Sequence, residues 1–124
     1  MMTRLVDRVG IVTGGGGGIG TAVARRLVAE GARVVIADLF EAAAVRAAEP
    51  LGDKALPVQF DAADPQSVKA MVDRTVDHFG RLDILHNNAA MTDPDKSPQD
   101  TTAVDIPIGI WREILDVNLT GYLL

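Results

Sequence analysis

The sequence predicts an α/β fold built on a doubly wound parallel sheet. Three observations predict it. Short apolar runs alternate with alanine-rich helical patterns along the chain. The connections between them are short. A run of five glycines, Gly14 to Gly18, separates the first apolar run from the first helical pattern. Strand–helix alternation with short connections implies right-handed crossovers, and the doubly wound order of the first four strands is 3-2-1-4.

Each element follows from local chemistry. Arg8 to Thr13 (RVGIVT) is an apolar run suited to a strand buried on both faces. Gly18 to Glu30 reads as a helix. Ile19, Val23 and Leu27, with Ala22 nearby, share one face, and Gly31 supplies a stop. Arg33 to Ala37 is a second strand. Glu41 to Glu49 is an alanine-rich helix ended by Pro50. Ala55 to Phe60 is a third strand, although Pro57 near its start weakens the pattern. Asp64-Pro65 is a strong helix start. Val68, Met71, Val72, Thr75, Val76 and Phe79 then recur at helical spacing up to Gly80. Leu82 to His86 is a fourth strand. Met91 to Ile106 is a polar loop carrying Asp93, Asp95, Asp100 and Asp105. From Pro107 a last helix places Trp111, Ile114, Leu115, Asn118, Leu119, Tyr122 and Leu123 on one side.

Composition bounds the function. The chain has 124 residues, 48% hydrophobic and 23% charged, so it is one domain or part of one. Its net charge of −5, from 12 basic and 17 acidic side chains, argues against nucleic acid or an anionic membrane as the main partner. It has no cysteine, hence no thiolate metal site or disulfide. No signal-like segment and no apolar stretch of about 18 residues is present, so a cytoplasmic protein is expected. The loop aspartates lack the central glycine and final glutamate of a calcium loop. No metal site is expected. His78 and His86 lack metal-ligand company; His78 follows a charged helix face, and His86 is a candidate polar lining near a bound base.

The glycine run is suited to holding a pyrophosphate. Glycine there permits a sharp turn, lets backbone amides approach an anion without a Cβ between, and lets the helix pack closely on the strand. The free amides of the helix N-terminus meet the anion, each such term contributing about 0.3–1 kcal/mol. No Gly-Lys-Ser/Thr follows, which excludes a Walker loop. Asp38, with Leu39 beside it, stands 18 residues beyond Gly20 at the end of the second strand. A carboxylate there accepts from ribose hydroxyls and repels a 2′-phosphate, and no Lys or Arg lies within the glycine loop. NAD is therefore favoured over NADP.

Taken together, these segments resemble the short-chain dehydrogenase/reductase family. Thr13-Gly14-Gly15-Gly16-Gly17-Gly18-Ile19-Gly20 resembles its Thr-Gly-x-x-x-Gly-x-Gly loop. Asp61 resembles the aspartate that meets the adenine amino group, with the Ala62 amide beside it. Asn87-Asn88-Ala89-Ala90 resembles Asn-Asn-Ala-Gly, with Ala90 in place of glycine. Asp116-Val117-Asn118-Leu119-Thr120-Gly121 resembles the segment holding the catalytic asparagine. The resemblance implies a Rossmann-like sheet spanning residues 1–124. It also implies cofactor contacts from Gly14, Gly17, Gly18, Ile19, Gly20, Asp38, Leu39, Asp61, Ala62, Asn88, Ala89 and Ala90. Asn88 is expected to fix the end of the fourth strand beside the glycine loop. Asn118 is expected to kink its helix and hold a water in a proton relay.

The family's hydride transfer also needs a serine and a Tyr-x-x-x-Lys pair beyond the asparagine. The only tyrosine is Tyr122, four residues from which there is no further position, and the serines are Ser67 and Ser97. Tyr122 is read as packing. The expectation is the cofactor half of an NAD-dependent alcohol/carbonyl oxidoreductase, inactive alone, with an unpaired fourth strand and partly exposed Trp111, Ile114, Leu115 and Leu119 favouring homo-oligomers. A non-catalytic nucleotide-binding module or assembly-prone fragment stays open. A methyltransferase fits the loop spacing and the asparagine motifs less well.

Overall fold

The computed structural model describes residues 3–91 and 97–124. Asp93 and Asp95 lie outside the described residues. Four strands, β1 (Val9–Thr13), β2 (Arg33–Asp38), β3 (Ala55–Gln59) and β4 (Ile84–His86), form one parallel sheet in the order β3-β2-β1-β4. This is the order the alternation predicts. Helices α1 (Gly18–Ala29), α2 (Glu41–Ala48) and α3 (Pro65–Phe79) cover its two faces.

Strand periodicity divides the core. Ile11, Val35 and Val58 point to one face, where Val68, Met71, Val72 and Phe79 of α3 pack on them. Val12, Val34 and Ile36 point to the other, against Val23, Ala24 and Leu27 of α1 and the alanines of α2. Both faces of β1 and β2 are therefore apolar, as a parallel sheet sandwiched by helices requires. Pro57 is tolerated because β3 is an edge strand, with one side free of ladder bonds.

Pro50 follows the end of α2 at Ala48, as the sequence reading expects. It sits in the first turn of a 3₁₀ segment, Glu49–Lys54, where its missing N–H is not needed. Other boundaries differ from the sequence reading. The buried residues of α1 are Gly20 and Ala24, while Ile19 is 71% exposed and Ala22 is exposed. Ile19 lies in the first turn, beside the glycine loop, so it leaves the core face that Val23 and Leu27 keep. Strand β4 begins at Ile84 rather than Leu82; just before it, Asp83 meets β1 through its backbone N–H, which donates to the Val9 carbonyl at 2.8 Å, and through its side chain. Its Oδ2 accepts the Val9 N–H at 2.9 Å, and its carboxylate pairs with Arg81 and Arg8.

The Arg81 hydrogen bonds, then the Val9 N–H, hold the Asp83 carboxyl at about 2, below the ordinary carboxylate range. A depressed folded-state value stabilises the fold above the unfolded value and loses that contribution as pH falls toward the folded one. The melting-temperature gap between the native chain and Asp83→Asn is expected to be constant from pH 8 to 5 and to close between about pH 4 and 2. Thermal unfolding across pH checks this.

Asp64 caps α3, its Oδ1 accepting the Gln66 N–H at 3.0 Å, with Pro65 at the first helical position. Asp64→Ala is expected to destabilise by about 1 kcal/mol in urea unfolding. The last helical stretch is not continuous. α4 (Ile108–Leu115) passes into a π-helical turn, Asp116–Thr120, and then α5 (Gly121–Leu123). Trp111, Leu115 and Leu119 are exposed and Ile114 is half-buried. Val117, off that stripe, is the residue that packs on the core. Among the described residues, no helix is long and apolar enough to cross a membrane.

Candidate functional site

Strand order reverses between β1 and β4, and ligand crevices in open α/β sheets form at the carboxyl ends of strands flanking such a reversal. A cleft of ≈ 660 Å³ lies there. Its floor is the glycine loop after β1, and its sides are the segments that follow β2, β3 and β4.

Backbone bonds shape the glycine loop. The Gly15 N–H donates to the Ala37 carbonyl at 3.1 Å, and the Gly17 N–H to the Gly14 carbonyl at 3.2 Å. Thr21 Oγ1 donates to the Gly15 carbonyl at 3.0 Å. Gly14 has φ +64°, and a Cβ there would stand 3.0 Å from the Ala89 Cα. At Gly20 a Cβ would stand 2.3 Å from the Gly14 carbonyl oxygen. The helix therefore seats directly on the loop. Gly17 is the N-cap of α1 and makes no side-chain cap bond, and no acidic residue occupies the first turn. The positive end of a 12-residue helix thus meets the cleft with no acidic side chain of its own first turn upon it.

Asp38 ties this loop to β2 and α2. Its Oδ2 accepts the Gly16 N–H at 3.0 Å and its Oδ1 accepts the Phe40 N–H at 3.0 Å. A carboxylate has about four acceptor sites, so capacity remains for further donors. No lysine or arginine is among the described residues lining the cleft.

Thr13, at the end of β1, joins β1 to β4. Its Oγ1 accepts the Asn88 N–H at 3.0 Å and the Ala89 N–H at 3.1 Å, and donates to the His86 carbonyl at 3.3 Å. The Asn88 side chain adds a bond to the Gly14 carbonyl at 3.3 Å, fixing the end of the fourth strand beside the glycine loop. Thr13→Val keeps the shape and orphans two amides. Leaving buried donors unsatisfied is expected to lower the unfolding free energy by about 1–3 kcal/mol, read by urea titration.

The structure brings most of the expected residues together. Gly14, Gly17, Gly18, Ile19, Asp38, Leu39, Asp61, Ala62, Asn88, Ala89 and Ala90 line the cleft. Gly20 does not; it is buried under the loop and sets its shape. Asn118 stands behind the wall, in the π turn, where its Oδ1 accepts the Met91 N–H at 2.7 Å. Asp61 lines the cleft while its Oδ1 also accepts the Ala63 N–H at 2.9 Å, and Ser67 Oγ accepts the Asp61 N–H at 2.8 Å. His86 is not among the lining residues: strand alternation from Ile84, which neighbours Gly10 near Leu27, turns it to the α1 face, where Nε2 is buried without a hydrogen-bond partner. His78 is exposed and packs edge-on against Phe79. Asp105 accepts from Thr102. Among the described residues, no three His, Cys, Asp or Glu converge on a metal-sized site.

Sequence reasoning missed Phe40, Phe60, Glu113 and Val117 in the lining, and the anchoring role of Thr13. A signal for Thr13 exists: it is the single polar residue at the end of the apolar run VGIVT.

The model of the family described as short chain dehydrogenase matches residues 8–124. The chain belongs to the short-chain dehydrogenase family. It is 41% identical to the cis-4-hydroxycyclohexanecarboxylate dehydrogenase of Sinomonas cyclohexanicum, over 100% of this chain and 49% of the relative. It is 39% identical to a 3-alpha-(or 20-beta)-hydroxysteroid dehydrogenase of Mycobacterium bovis, over 100% of this chain and 45% of the relative. The structure of 3-ketoacyl-(acyl-carrier-protein) reductase from Brucella melitensis complexed with NADH superposes with a TM-score of 0.88 at 35% identity, covering 97% of this chain and 48% of that one. This short-chain dehydrogenase chain thus spans about half the length of the curated relatives it matches.

Proposed function

We propose that the chain is an NAD-binding unit, residues 1–124 forming one dinucleotide domain, and that it is the cofactor half of an enzyme exchanging hydride between nicotinamide and an alcohol or carbonyl substrate. The observation that carries NAD is Asp38. Its carboxylate stands over the glycine loop, bonded to the Gly16 amide, with no cation among the described lining residues. It accepts from ribose hydroxyls and opposes a 2′-phosphate.

The residues fit the cofactor. The loop is glycine where a Cβ would meet backbone, and the uncapped N-terminus of α1 faces the cleft. In this reading Gly17, Gly18 and Ile19 hold the pyrophosphate, Asp38 and Leu39 the adenosine ribose, and Asp61 and Ala62 the adenine. Asn88, Ala89 and Ala90 line the remaining length. When bound, NAD supplies the hydride acceptor; this chain's residues bind and orient it. In this reading Asn118 takes part in a proton relay, the role its family motif implies. A cytoplasmic location and self-association fit the acidic composition and the exposed apolar residues of α4.

On this reading the 124-residue chain binds ADP-ribose but does not turn over. Calorimetric titration with ADP-ribose, followed by incubation with NAD and a secondary alcohol, tests both statements. Failure to bind ADP-ribose contradicts the site, and NADH formation by a preparation of verified mass contradicts the inactivity. Binding without turnover by any longer form of the protein would favour a non-catalytic nucleotide-binding module instead.

A further inference from the structure

The final helical stretch contacts three residues of the cleft wall, one after β3 and two after β4. Gly121 lies so near Ala62 that a Cβ there would stand 2.5 Å from the Ala62 carbonyl oxygen. Asn118 accepts the Met91 N–H. Beside these contacts, Tyr122 Oη donates to the Ala89 carbonyl at 2.6 Å, at the short end of the range for O–H···O bonds. Ala62, Ala89 and Met91 all line the cleft.

Ala89 is buried, and its amide is already bonded to Thr13 Oγ1. The Tyr122 hydroxyl therefore completes the hydrogen bonding of a residue held on both sides. Ala89 also borders a second, smaller cavity of ≈ 90 Å³, whose lining includes Met71, Val72, Leu85 and Tyr122. Without the hydroxyl the Ala89 carbonyl loses that partner at a part-buried position, and such an acceptor must find a new partner or move.

We infer that Tyr122 is a positioning residue for the cofactor cleft: its hydroxyl holds the Ala89 carbonyl, and so keeps Ala89, Ala90 and Met91 as one fixed wall. The inference rests on the reading of the cleft as a dinucleotide site. Nothing in the role requires Tyr122 to touch the cofactor.

Tyr122→Phe removes the hydroxyl and keeps the ring. Two measurements on the full chain test it: the ADP-ribose dissociation constant, and amide exchange of Ala89 and Met91 in the free protein, with Val35 in β2 as internal reference. Loss of one neutral hydrogen bond predicts roughly three- to tenfold faster exchange at Ala89 and Met91, with Val35 unchanged, and roughly three- to tenfold weaker ADP-ribose binding. A merely structural role would speed all three amides together. Unchanged exchange at Ala89 and Met91, or uniform acceleration, overturns the inference. Unchanged affinity together with faster local exchange overturns the link between wall and ligand. If the native chain itself fails to bind ADP-ribose, the dinucleotide reading falls, while the exchange data still decide whether Tyr122 fixes the wall.

Discussion

Gly20→Ala is expected to abolish measurable ADP-ribose binding and to lower the unfolding free energy by about 1–3 kcal/mol. The added Cβ would stand 2.3 Å from the Gly14 carbonyl oxygen and 2.7 Å from the Gly15 Cα. Both are backbone atoms in a loop fixed by the Gly15-to-Ala37 and Thr21-to-Gly15 bonds, so no flexible side chain can yield. Either α1 lifts from the loop or the loop turns, and each moves the amides proposed to hold the pyrophosphate. Alanine favours helix over glycine by about 1 kcal/mol, which offsets part of the cost. Gly109→Ala in α4 is the matching comparison, because a Cβ there meets nothing within 4 Å. It is expected to be neutral or to gain up to about 1 kcal/mol. Urea unfolding and calorimetric titration of both variants give the four numbers required. Opposite signs for one chemical change would locate the effect in contact with the loop.

Asp38→Asn is expected to weaken NAD binding by roughly 10- to 150-fold, from hydrogen bonds to a charged group worth about 1.5–3 kcal/mol. The carboxylate accepts two backbone amides, Gly16 on Oδ2 and Phe40 on Oδ1. An asparagine offers one oxygen and one NH₂, and the NH₂ cannot accept, so one amide loses its partner. Either the loop, through Gly16, or the start of α2, through Phe40, is loosened, beyond the loss of the proposed contact with ribose. NADP binding is expected to fall less than NAD binding, since the like charge is removed at the same time. Titration with each nucleotide reads the ratio. An unchanged ratio would mean that Asp38 acts through loop geometry alone.

The sheet was legible in the sequence because its strands are apolar on both faces and each is followed by a separate helical pattern. The cleft was legible because glycines after β1, aspartates after β2 and β3, and asparagines after β4 all fall at carboxyl ends of parallel strands, which the topology brings together. What stayed hidden depends on direction rather than spacing. Ile19 shares helical spacing with Val23 and Leu27 but belongs to the first turn, beside the cleft. The stripe from Trp111 to Leu123 is a regular pattern, yet Trp111, Leu115, Leu119 and Leu123 are exposed, and Val117 packs inward instead. The π turn at Asp116–Thr120 breaks the assumption of 3.6 residues per turn on which the stripe was drawn. Pro50 marks the end of an α-helix and equally the start of a 3₁₀ turn, and composition alone cannot separate the two. Thr13 and Tyr122 act through bonds to residues more than 30 positions away, which no local pattern records.

The central claim is that this cleft selects NAD through Asp38. Calorimetric titration of the native 124-residue chain with NAD and with NADP, at one ionic strength, tests it most directly. Repulsion between the Asp38 carboxylate and a 2′-phosphate predicts NAD binding at least about tenfold tighter, equivalent to about 1.4 kcal/mol. Equal affinities, or tighter binding of NADP, would contradict it.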